Sequence, residues 1–133
     1  MNLIKKFKII IVFSLLTCFN CKAQISCSTT EDENLIVGTW VLEGLTPLDK
    51  LVFNNNHILS MYDEGTLYET YCWEIDCKIT PSGRKAYSLE IINTDDESDK
   101  YVYDINTLTP ERLVLQYIRP GYGLAKLATY LRQ

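Results

Sequence analysis

From residue 36 to residue 132, apolar and polar side chains alternate with a period of two. That is the pattern of strands with one dry face and one wet face. Ile36 to Glu43 is the first such segment, with Gly38, Trp40 and Leu42 on one side. Leu51 and Phe53 alternate next, and Asn54-Asn55-Asn56 marks a turn. Ile58 to Tyr62 makes a short strand, stopped by Asp63-Glu64-Gly65. The longest run places Leu67, Tyr71, Trp73, Ile75, Cys77 and Ile79 on one face. Tyr68, Thr70, Cys72, Glu74, Asp76 and Lys78 fall on the other. Pro81-Ser82-Gly83-Arg84 is a turn in which Pro sets φ and Gly permits positive φ.

Tyr87, Leu89 and Ile91 resume the alternation, followed by an acidic loop over 93–100. Tyr101, Tyr103 and Ile105 form the next strand, and 106–111 a turn with Leu108 tucked in. Leu113, Leu115 and Tyr117 alternate, 119–123 is a loop, and 124–132 is the last strand. Residues 125–131 have some helical character, yet strand is preferred, and no helix is expected anywhere. Eight strands with hairpin-length connections predict an all-β, eight-stranded antiparallel up-and-down barrel, because closure removes the edges. A β-sandwich is the alternative.

The 133 residues suit one domain over 35–133. A net charge of −4 lacks the basic face that nucleic acid requires. Residues 1–23 read as a secretory signal peptide: Lys5, Lys6 and Lys8 precede an apolar run from Ile9 to Leu16, too short for a retained span. Cys21-Lys22-Ala23 suits ordinary cleavage before Gln24. Cys18 and Cys21 instead each end an imperfect lipoprotein box, which leaves a lipid anchor as the alternative and the only expected membrane contact. Residues 24–34 are expected to be a polar, acidic tether. The expected location is therefore the cell envelope.

Four features are carried in order: Gly38-Thr39-Trp40, Leu51-x-Phe53, Leu108-Thr109-x-x-x-Leu113-x-Leu115 and Tyr130-x-Arg132. On these, residues 36–132 resemble the lipocalin-like families of the calycin superfamily, particularly the small secreted proteins of the Bacteroidetes type. The acidic run after the cysteines also resembles the surface-export signal of lipoproteins from that group. The resemblance implies that Trp40 of the Gly38-Thr39-Trp40 step sits at the closed end of the barrel, with Arg132 packed over it. It further implies a pocket for a small apolar molecule. The chain departs from the family in its short length, in having no C-terminal helix, and in lacking the central Thr-Asp-Tyr loop motif.

Catalytic chemistry has little material, and neither an enzyme nor a cofactor is expected. His57 is the only histidine, which leaves a triad or a zinc site unsupported. Asp95, Asp96, Glu97 and Asp99 lack the spacing of a calcium loop, and Glu74 and Asp76 read as surface charge, so no metal is expected. Tyr71, Trp73, Tyr87, Tyr101, Tyr103 and Tyr117 point inward and are the candidate ligand-binding residues. The same rings could instead fill the interior. Two functions follow: a barrel that holds a small lipophilic molecule, or a filled barrel that presents its surface to an envelope partner. Loops 44–49, 63–66, 93–99 and 119–123 are expected to form an acidic rim at the mouth.

Export permits disulfides. Cys72 and Cys77 lie about 16 Å apart on a continuous strand and face opposite sides, too far for a bridge. Cys77 ends the fourth strand where the leader must enter the barrel, so Cys27–Cys77 is the expected pair, with Cys27–Cys72 second.

Overall fold

The computed structural model describes residues 27–133. The expected signal peptide, with Cys18 and Cys21, and the first three tether residues lie outside the described residues. The barrel strands are β1 (Gly38–Leu42), β2 (Lys50–Phe53), β3 (Ile58–Asp63), β4 (Thr66–Ile79), β5 (Lys85–Asn93), β6 (Lys100–Leu108), β7 (Arg112–Arg119) and β8 (Gly123–Arg132). Each pairs antiparallel with its sequence neighbours, and β8 closes on β1 through Trp40↔Arg132 and Leu42↔Tyr130. The architecture is an eight-stranded up-and-down closed barrel, as the alternation predicted.

The core is the inner face of that alternation. Trp40, Phe53, Leu59, Trp73, Leu89, Ile91 and Leu113 are all essentially inaccessible to solvent. Each such side chain is worth about 1.5–3 kcal/mol of burial. Trp73 packs edge-on against Phe53, with ring centroids 5.8 Å apart, and donates from its indole nitrogen to the Asn54 carbonyl at 3.2 Å.

Among the described residues one helix, α1 (Thr30–Ile36), corrects the expectation of none, and it takes up residues assigned to the tether. Its seven residues are too few to show a helical period. Glu31, Asp32 and Glu33 in the first turn suit the positive end of its dipole. Ile36, expected to begin the first strand, instead ends this helix and is fully buried. Tertiary contact therefore holds a segment that would be unstable alone. Burial raises the Asp32 carboxyl above its ordinary range, with Glu31 adding to the effect.

The leader is pinned by a Cys27–Cys77 disulfide, with Cα atoms 5.7 Å apart. Cys72 is free and exposed on the outer face.

Several strand details differ from the period-two reading. The register of β3 and β4 slips at Met61/Tyr62, where Met61 faces Glu69 and Tyr62 faces Leu67. Tyr68 is the extra residue of this bulge, so inside and outside exchange beyond it. Leu67, expected inside, is consequently exposed. Ile79 is also exposed, near the end of the long β4–β5 hairpin. The turn expected over 106–111 is shorter, because β6 continues to Leu108 through a register shift at Ile105/Thr107.

Candidate functional site

The closed end is built by α1, β1 and the last residues of β8. The Trp40 indole nitrogen donates to the Ile36 carbonyl at 2.8 Å. The Arg132 guanidinium lies 4.3 Å from the Trp40 ring centroid. It donates to the carbonyls of Val37, at 3.0 Å, and of Leu35 and Pro110. Gly38 lies beneath the same guanidinium with φ +145°, and a Cβ there would collide with it. His57, at φ 64°, stacks on Trp73 with centroids 4.5 Å apart, and its Nδ1 lies 3.0 Å from the Trp73 carbonyl oxygen.

Above this plug the interior is not filled. A cavity of about 220 Å³ lies within the barrel. Leu51, Phe53, Leu59, Leu89, Ile91 and Leu115 form its apolar wall with Met61. Tyr68, Tyr103 and Tyr130 supply its polar atoms. The Tyr68 hydroxyl reaches the Met61 sulfur at 3.5 Å. Burial is the main cause that pushes the Tyr103 and Tyr130 hydroxyls above the usual tyrosine range. A second cavity of about 170 Å³ lies beside the first, and Leu51, Tyr68 and Tyr130 border both. Asp49 and Lys50 line this second space, and the Lys50 ammonium sits 5.0 Å from the Tyr62 ring centroid.

Of the six aromatic residues expected to bind a ligand, Tyr103 alone lines the interior cavity. Trp73 belongs to the packed region with Phe53 and His57. Tyr87 is half-buried, in register with Cys77 and Ile105. Tyr71, Tyr101, Tyr117 and Tyr103 form a ladder of rings with successive centroids 6.2, 5.6 and 5.5 Å apart. Asp99, expected on the rim, turns toward this ladder. Its carboxylate accepts from the Tyr71 hydroxyl and from Asn93 Nδ2, both at 3.0 Å, and the same amide donates to Glu69 at 2.8 Å. Burial first and then Asp99 push the Tyr71 hydroxyl up to about 12, and Asp99 raises Tyr101.

Tyr68 and Tyr130 border the cavity without having been singled out for it. The signal for Tyr130 was its place two residues before Arg132 on an inward face. Tyr68 is masked by the bulge.

Grooves also mark the outer face of β4 and β5. One, beside His57 and Cys72, is bordered by Glu74 and Glu90, which face each other across the strands. These grooves lie on the outer face of the sheet, whereas the cavity bordered by Leu51, Leu59 and Leu115 lies on the inner face. Among the described residues no three His, Cys, Asp or Glu side chains come together as a metal site. No protein-family model, curated protein or solved structure matches the chain.

Proposed function

We propose that the protein is an exported, lipocalin-like barrel that holds a small lipophilic molecule in the cell envelope. The observation that carries this reading is the interior cavity of about 220 Å³, walled by aliphatic side chains and three tyrosines. A barrel that served only as a packed scaffold would fill that space, since a void forfeits dispersion contacts. Arg132 over Trp40 beside Gly38 supports the lipocalin-like assignment. The Cys27–Cys77 disulfide supports an oxidising compartment, in keeping with the basic and apolar leader. Native mass spectrometry of protein purified from its own envelope tests the reading. The expected result is a small organic adduct released on denaturation; protein that is always ligand-free contradicts it.

A second reading, a surface that engages an envelope partner, draws on the exposed Leu124, Leu127 and Leu131 of β8. Serine at Leu127 and Leu131 would abolish recovery of a partner by cross-linking in the envelope under that reading, and would leave the adduct intact under the first.

A further inference from the structure

The cavity wall specifies more than an apolar guest. Its size sets one limit: an apolar cavity of about 150 Å³ takes benzene, and this one measures about 220 Å³. A substituted ring or a fused bicycle fits, and a long acyl chain does not.

Charge sets a second limit. No Asp, Glu, Lys, Arg or His lines the interior cavity. An ion placed there would lose its hydration and meet no counter-charge. At the neighbouring space Lys50 is already engaged over Tyr62, and Asp49 stands beside it. Asp63 and Glu64 are exposed on the adjoining β3–β4 turn. Their field opposes the approach of an anion.

The third limit comes from the hydroxyls. The Tyr103 and Tyr130 hydroxyls make no hydrogen bond among the described residues; both side chains are half-buried and line the cavity, so the two groups are open to the cavity rather than sealed in the core. Such groups are ordinarily satisfied, and leaving them bare beside an apolar guest is costly. A phenolic hydroxyl can donate and accept, so a neutral oxygen on the guest meets either role.

Resting on the ligand-binding reading above, we propose that the cavity takes an uncharged, compact molecule of about one or two rings whose hydroxyl or carbonyl oxygen bonds to Tyr103 and Tyr130. Long-chain anions and charged amines fall outside this class.

Titration calorimetry on the disulfide-bonded protein at neutral pH tests it with p-cresol, toluene, p-toluate and palmitate. p-Cresol is expected to bind, toluene about 25- to 100-fold more weakly, the fold-change of two hydrogen bonds, and the two carboxylates not measurably. Tyr103→Phe and Tyr130→Phe keep the ring volume. Each is expected to weaken p-cresol about five- to tenfold, the fold-change of one hydrogen bond, and to leave toluene bound no more weakly than in the parent. p-Toluate or palmitate binding as tightly as p-cresol would overturn the proposed class while leaving ligand binding intact. Equal affinity for p-cresol and toluene, in the parent and both variants, would overturn the role of the hydroxyls. Failure of all four compounds to bind would overturn the proposal together with the reading on which it rests.

Discussion

Arg132 and Trp40 face each other across the seam where β8 closes on β1, the guanidinium 4.3 Å from the indole centroid. One side chain from the end of the chain thus covers the ring at its beginning and ties down the carbonyls at the end of α1. Arg132→Ala is expected to cost about 2–4 kcal/mol, from the lost cation–π contact and charge-assisted hydrogen bonds together. Arg132→Lys should recover only part of this, because an ammonium lacks the planar fork. Urea unfolding measures both, and an alanine variant as stable as the parent would contradict the linkage.

Gly38 is the counterpart of that contact. Its positive φ and the guanidinium above it both exclude a side chain. Gly38→Ala should destabilise by about 1–3 kcal/mol. Combined with Arg132→Ala, the loss should be smaller than the sum of the two, because the clash is then gone. Additive losses in the double-mutant cycle would mean the two residues act independently.

The disulfide joins positions 50 residues apart and so restrains α1, β1, β2, β3 and most of β4 in the unfolded chain. Replacing Cys27 and Cys77 with Ser should lower stability by about 2–4 kcal/mol. The loss should appear in denaturation midpoints with and without reductant. Backbone amides of α1 should also exchange faster with solvent in the variant, and unchanged protection would contradict this.

Tyr71, Tyr103 and Tyr130 hold their protons more tightly in the folded barrel than in the unfolded chain. Unfolding therefore releases protons once the pH exceeds the ordinary tyrosine value of about 10. The stability these groups contribute is full below that pH and is lost as pH rises through about 12. Urea midpoints should fall across this window, and Tyr103→Phe should flatten the fall. A midpoint that stays level would be inconsistent with tyrosines kept neutral by burial.

Much of the barrel was legible because period-two alternation is a direct consequence of one wet and one dry face. Trp40, Trp73, Leu89 and Leu113 stood out by parity alone, and the Cys27–Cys77 pair followed from strand length and topology. Parity fails where an extra residue enters, which is why Leu67 was taken as inward and Tyr68 as outward. α1 was hidden because it has too few residues for a period and is held by Ile36 and a disulfide rather than by helix propensity. The cavity was least legible. Which inward tyrosine borders empty space depends on how strands tilt and which rings pack together, and alternation carries neither.

Methyl-resolved NMR during titration with p-cresol tests most directly whether the barrel holds a small molecule inside. The predicted result is saturable shifts at the methyls of Leu59, Leu89, Leu115 and Met61, with Leu124 and Leu127 on the outer face unmoved. Shifts confined to Leu124 and Leu127, or none at any concentration, would contradict an interior binding site.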